Sequence, residues 1–189
     1  PDIDFLGGDI RIAPARPDRL TAIEAYEAVF SYRNRRYVER YGFTATGNMA
    51  VRAGVFRAVG PFGGIATMED TEWGQRATAQ GYRIAYLADA SVSTQPCSSF
   101  AELARRWDRH VAHDFRNVRR HPADVLKWAA RTAAIAASPV AEIPTIVSSN
   151  LIRGPRARLL ALACLGRIRF YRARRMAGLL VRDDTSALV

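Results

Sequence analysis

Apolar residues recur along this chain with two periods, and each switch of period marks an element. From Asp2 to Ala13 they alternate loosely around Gly7-Gly8, which predicts a strand interrupted by a bend. Pro14 and Pro17 mark a loop. Leu20–Tyr41 changes to spacings of three and four, with Ile23, Tyr26, Ala28, Phe30 and Tyr37 on one face and Thr21 at the start, predicting one helix. Its cluster Arg33-Asn34-Arg35-Arg36 reads as a solvated face. Phe43–Thr46 predicts a short strand, and Gly47-Asn48 a turn, because both residue types tolerate positive φ. A short helix is expected over Ala53–Val59, closed by Gly60. A second should open at the carboxylates after Thr67 and end at Gly81, with a strand over Tyr82–Leu87.

The clearest helix is Ser98–His121. Ser99 and Glu102 form a Ser-x-x-Glu capping box, and Phe100, Leu103, Trp107, Val111, Phe115 and Val118 fall on one stripe. Arg105, Arg109, Arg116 and Arg120 lie opposite, and Pro122 stops it. Helical spacing returns over Val125–Ala137 and Arg156–Val181, separated by Ser138-Pro139, Pro144 and Gly154-Pro155; the second stretch shows no clean apolar face. Residues 132–152 are fairly apolar, but Glu142 and two prolines argue against a membrane span.

At 189 residues, nearly half of them apolar, the chain fits one domain or one domain with an appendage. It begins at Pro1 without methionine, and Ile3-Asp4-Phe5 reads like the interior of a domain, so a piece of a longer protein is expected. No secretory signal pattern is visible. Cys97 and Cys164 form no Cys-x-x-Cys pair; they suit a reducing cytoplasm at least as well as a single disulfide. The expected location is therefore cytoplasmic, with a peripheral contact at the inner face of the membrane left open. Charge is uneven: residues 1–104 carry a net −1 and residues 105–189 a net +11, which together give +10. A basic second half points toward polyanions, among them nucleic acid, anionic lipid and diphosphate compounds.

The chemistry concentrates in Glu69, Asp70 and Glu72, three carboxylates in four residues at a helix start, directly after Gly60-Pro61-Phe62-Gly63-Gly64. A helix N-terminus carries unpaired N–H groups and partial positive charge. In the plainest reading Thr67 or Asp70 caps the helix while Glu69 and Glu72 favour its dipole. His110, His113 and Asp114 share one side of a helix, but with no further ligand nearby a structural role is expected for them.

The ordered set "TGNMAVRAGVFRAVGPFGG" (Thr46–Gly64) and "MEDTEWGQRATAQGYRIAYLADASV" (Met68–Val92) resembles the family 2 glycosyltransferases, which have the GT-A fold. Its marks are Gly47-Asn48, the Arg52, Phe56, Gly60 helix, the Glu69-Asp70 pair and Gly81-Tyr82-Arg83 before a strand. The resemblance implies an α/β, partial GT-A (Rossmann-like) catalytic domain over 1–121 and a basic helical extension over 122–189. It implies Asp70 as general base, Glu69 as its helper, and Gly47, Asn48 and Trp73 at the substrates. Leu103-Ala104-Arg105-Arg106-Trp107 matches the last two positions of the Gln-x-x-Arg-Trp motif of processive relatives, where the arginine meets the diphosphate and the tryptophan the acceptor. The glutamine is missing here.

By the same resemblance the enzyme is inverting and takes a nucleotide-sugar donor and a carbohydrate or lipid-linked acceptor, in polysaccharide or glycolipid synthesis. It uses Mg²⁺ or Mn²⁺, whose main ligands are expected upstream of residue 1. Thr94 stands where the family often has a metal-assisting histidine. Two other readings compete. One is a nucleic-acid module, disfavoured because no helix-turn-helix, RNP-like strand or Cys/His finger occurs. The other is a non-catalytic adaptor, basic and membrane-facing, that keeps the layout alone.

Overall fold

A computed structural model describes residues 2–64, 68–116, 118 and 121–182, with side chains to residue 180. It shows a mixed α/β protein with a three-stranded sheet. The elements are β1 Phe5–Ile12, α1 Ala22–Phe30, α2 Asn34–Tyr41, a 3₁₀ turn Thr46–Asn48, β2 Met49–Val51, α3 Ala53–Val59, α4 Glu69–Ala79 and β3 Ile84–Thr94. The helices α5 Phe100–Phe115, α6 Pro122–Ala141, α7 Ile143–Ser148 and α8 Gly154–Arg182 follow. Two compact units emerge, and their boundaries do not follow the expected division at residue 121. The first holds Pro1–Ala13 and Phe30–Gln95; the second holds Pro14–Val29 and Pro96–Val189.

In the first unit β1 is central, antiparallel to β2 and parallel to β3. The bend expected at Gly7-Gly8 is a register break inside one continuous strand. Gly8 lies opposite Leu87 but Asp9 opposite Ser91, so residues 88–90 of β3 have no counterpart in β1. Asn48 closes this break: its Nδ2 donates to Asp9 O (2.7 Å) and Ala90 O (2.8 Å). A Cβ on Gly8 would sit 2.1 Å from Ala90 O and 2.3 Å from Asn48 Nδ2, so the approach requires glycine.

Beneath the sheet Phe5, Val55, Val59, Trp73 and Ala77 form the core, with Phe56, Phe62 and Tyr82 against it. At the end of α4 the Gly81 N–H bonds Thr78 O, and the Tyr82 N–H bonds Ala77 O. Gly81 has φ +92°, so the helix ends in the expected left-handed cap.

Three expectations change. Leu20–Tyr41 is two helices, because Asn34 is 2 % exposed and its side chain donates to Gly8 O at 2.8 Å, which turns the chain at Ser31–Arg33. Phe43–Thr46 is not a strand; the segment that pairs with β1 is Met49–Val51. The Gly47-Asn48 turn is 3₁₀ and needs no positive φ. The suggested Thr67 cap lies outside the described residues.

In the second unit α1 opens with a capping box: Glu24 N–H donates to Thr21 Oγ1 (3.2 Å), and Thr21 N–H donates to Glu24 Oε2 (2.7 Å). Helix α5 starts as expected, Ser99 Oγ accepting the Glu102 N–H, but it ends at Phe115 and α6 begins at Pro122. Helix α6 runs through Pro139 to Ala141. A proline at 139 removes the N–H that would bond Ile135 O, and the Ser138 hydroxyl donates there instead at 2.7 Å.

The core of this unit joins Val111, Ala112, Trp128, Met176 and Leu179. Helix α8 does have a buried stripe, Ala161, Leu165, Ile168, Arg172, Met176 and Leu179. Its one arginine hides the pattern from a helical wheel. Among the described residues no helix is long and apolar enough to cross a membrane.

Candidate functional site

Helix α4 follows Met68, whose backbone takes φ +55° without being glycine; among the described residues it alone does so. A non-glycine residue in the left-handed region stores strain, and such strain gathers at functional turns. The helix that starts there carries Glu69, Asp70 and Glu72 in its first turn. Their fates differ. Glu72 is neutralised by Arg76, four residues on, through bonds of 2.7 and 3.2 Å. The same arginine donates to Val59 O and Pro61 O and so ties down the glycine-rich loop.

Asp70 has no ion pair among the described residues. Its Oδ1 accepts the Thr71 N–H (2.7 Å) and the Thr71 hydroxyl (3.3 Å). Burial pushes its carboxyl above the ordinary aspartate value and the neighbouring Glu69 adds to this, against the Thr71 bonds. The half-buried Tyr37 phenol also feels the Asp70 charge. The site thus presents a half-buried carboxylate whose basicity is raised rather than quenched.

The remaining expected residues are placed as follows. Gly47 is exposed on the 3₁₀ turn, and Asn48 spends its amide N–H groups on the β1–β3 break. No hydrogen bond or ion pair joins either of them to Asp70 among the described residues. Trp73 is 0 % exposed, its Nε1 donates to Gly60 O at 2.8 Å, and its ring packs against Phe5, Phe56 and Phe62. It therefore offers a sugar no face. Arg52, the first residue of the Arg52, Phe56, Gly60 pattern, donates to Ile3 O at 2.7 Å and anchors α3 to the start of β1.

Arg106 and Trp107 belong to the second unit. Arg106 pairs with Glu27 at 2.6 Å, and its other terminal nitrogen lies 3.1 Å from Cys97 Sγ. Glu27 is 1 % exposed and also accepts the Cys97 N–H at 2.6 Å. Trp107 carries the Arg172 guanidinium over its ring at 3.7 Å and the His110 ring at 5.0 Å. Glu27, Asp108 and Arg172 were not singled out by sequence: each sits on a helix whose pattern gives no sign of a partner far along the chain. Asp108 accepts from Tyr171 (2.8 Å) and Arg175 (3.2 Å).

Burial, then the Arg172 charge, lowers His110 to about 4 against the pull of Asp114. Burial raises both thiols to about 11, and both are free and buried, so neither serves as a nucleophile.

The described residues do not fit a divalent cation. No three of His, Cys, Asp and Glu among them converge on one point. Asp4 accepts the Arg83 N–H, Asp2 faces the Arg83 guanidinium at 3.6 Å, and Asp114 is tied to Arg131. Thr94 closes β3, its carbonyl accepting the Ala13 N–H at 2.8 Å.

Comparison with known proteins supplies what geometry leaves open. Glycosyltransferase AglE of Haloferax volcanii is 28% identical over 108 residues, covering 57% of this chain and 34% of AglE. The chain therefore spans about a third of that relative's length. The profile of the family described as glycosyl transferase family group 2 matches residues 1–176. Matched over nearly its whole length, and with the Glu69-Asp70 pair heading a helix inside the match, the chain belongs to glycosyl transferase family group 2.

Proposed function

We propose that this chain forms part of an inverting glycosyltransferase in which Asp70 is the general base. In that reaction the acceptor hydroxyl oxygen bonds the anomeric carbon of a nucleotide sugar as the carbon–oxygen bond to the diphosphate breaks. The nucleoside diphosphate leaves, and the hydroxyl proton passes to Asp70. A base must be basic enough to take that proton and fixed within hydrogen-bond reach of it. The reading is carried by one observation: of the carboxylates opening α4, Glu72 is spent on Arg76, while Asp70 is half-buried with no ion pair among the described residues.

Glu69 positions the acceptor or sugar beside it. Asn48 and Trp73 act from behind, Asn48 by fixing the β1–β3 break and Trp73 by fixing the loop before α4. Gly47 offers an exposed backbone to the sugar. Arg106 and Trp107 act within the second unit as positioning groups, given their bonds to Glu27 and Arg172. No cluster among the described residues would hold the Mg²⁺ or Mn²⁺ implied by the family, so no step here is routed through it. The acceptor is proposed to be a carbohydrate or lipid-linked glycan of the cell envelope. A peripheral contact with an anionic membrane fits exposed Val140, Val147 and Leu151 followed by Arg153 and Arg156.

The test is turnover of a nucleotide sugar by the full-length protein. Asp70→Asn should lower it by ~10²–10⁴-fold, and Glu72→Gln far less. Near-normal turnover in Asp70→Asn would remove Asp70 from the mechanism.

A further inference from the structure

The first unit holds a second chemical feature that shares no residue with the proposed catalytic set. A cavity of about 350 Å³ is lined by Asp9, Tyr32, Arg33, Asn34, Arg35, Arg36, Glu39, Arg40 and Tyr86. Four arginines thus line one volume, against two acidic residues. One of these, Asp9, is already paired with Arg11 at 2.8 Å. Residues 1–104 are close to neutral overall, so the cluster is a local concentration and not a sample of a basic surface. Among the described residues none of Arg35, Arg36 and Arg40 has an ion pair. Arg35 lies over the Tyr86 ring at 5.1 Å, and Arg36 spends one donor on Tyr41 Oη at 3.2 Å. A guanidinium has five donors, so among the described residues most of those of Arg35, Arg36 and Arg40 are left for a ligand.

Two further features set the sign and shape of that ligand. The cavity lies at the amino end of α2, where no side chain caps the helix and where Asn34, Arg35 and Arg36 form the first turn. Unpaired N–H groups there add to the pull on an anion. The floor is rigid, because Asn34 is buried and bonded to Gly8 O beside the β1–β3 break. Planar guanidinium forks match tetrahedral oxyanions in pairs, and Tyr32 and Tyr86 supply flat walls for the group that carries the anion. A cavity of this volume falls in the range of ligand sites, roughly 300–1,000 Å³.

We propose that this cavity is a binding site for a phosphate or diphosphate ester, distinct from the Asp70 site. The assignment does not rest on Asp70 being a base. The same phosphate chemistry has two sources, a soluble phosphorylated sugar or nucleotide and a lipid-borne phosphate.

Calorimetric titration of the full-length protein with inorganic pyrophosphate tests it. Saturable binding is expected, weakened about tenfold or more in Arg36→Ala/Arg40→Ala, as loss of two charge-assisted contacts requires. Both side chains are exposed on α2, and Arg36→Lys/Arg40→Lys, which keeps the charge but loses the forks, should fall between. Glu39→Gln should tighten binding by removing a repelling charge. Arg105→Ala/Arg109→Ala makes the same change of net charge on exposed α5 positions and should leave affinity unchanged.

Retention on phosphatidylcholine vesicles doped with phosphatidic acid, competed by pyrophosphate and lost in the α2 variant, would identify a lipid-borne phosphate. Pyrophosphate binding without such retention would identify a soluble one. Absence of saturable binding would overturn the proposal, as would equal losses in the α2 and α5 variants.

Discussion

Among the described residues, the first unit's buried polar side chains are the neutral Asn34 and Thr44, whereas the second unit takes Glu24, Glu27, Asp108 and Arg172 inside. The first is built on close backbone approach: Gly8 under Asn48, Gly74 against Phe43, and one amide bridging two strands. The second is built from helices that satisfy charge with charge, as in Arg106 with Glu27 and Asp108 with Arg175 and Tyr171. This changes the meaning of the net +11 in the second half. Some of those arginines are structural groups inside helical packing, while four arginines of the near-neutral half line an open cavity. Total charge is therefore a poor guide to where anions bind.

Cutting the Arg106–Glu27 pair should do the greatest harm. Arg106→Ala leaves a buried carboxylate without its cation and should cost ~3–5 kcal/mol, read from urea unfolding. The double change Arg106→Met/Glu27→Leu should recover most of that loss. If Arg106→Ala leaves stability unchanged, the pair is not structural and the contrast between the units fails.

Acid should separate the units next. His110 titrates near 4 when folded, against 6.5 for an ordinary imidazole, so the native state binds fewer protons than the unfolded one in that window. Stability should therefore fall between pH 6.5 and 4, by up to ~3 kcal/mol for a shift of this size. Arg172, Arg109, Arg106 and Asp114 face the ring, and His110→Gln should flatten this slope. Asp70 has the opposite sign. Its raised value means that ionisation subtracts stability at neutral pH, a penalty that disappears as pH falls below the unfolded value.

A smaller effect is expected at the β1–β3 break. Gly8→Ala forces a Cβ against the Ala90 carbonyl and should cost ~1–3 kcal/mol by overpacking. Asn48→Ala should cost ~1–3 kcal/mol by leaving two partly buried carbonyls unmet. The double variant should cost less than the sum, because removing Asn48 gives the new methyl part of its room. Full additivity would mean that the two residues do not share one contact.

The sequence made some of this legible and hid the rest for physical reasons. Helix α3, the start of α5 and the end of α4 were readable because Gly60, Ser99 and Gly81 act on neighbours within a turn. The α1–α2 break was not, since its cause is the bond from Asn34 to Gly8, 26 residues away. Pro139 looked like a stop because the pattern of residue types does not show the Ser138 hydroxyl taking the vacant bond. The stripe on α8 was masked by Arg172, a cation that burial lowers to about 10 and that rests on Trp107. At the site, the acid-headed helix was visible as a cluster of types. That Glu72 is quenched and Asp70 is not, and that Trp73 faces the core, depends on tertiary packing.

The most direct measurement sets two readouts of Asp70→Asn beside each other in the full-length protein: nucleotide-sugar turnover and unfolding free energy at pH 7. A carboxylate placed for proton transfer at a cost to the fold requires turnover to fall by ~10²–10⁴-fold while stability stays level or rises. Turnover preserved, or lost only in step with stability, would contradict Asp70 as the base.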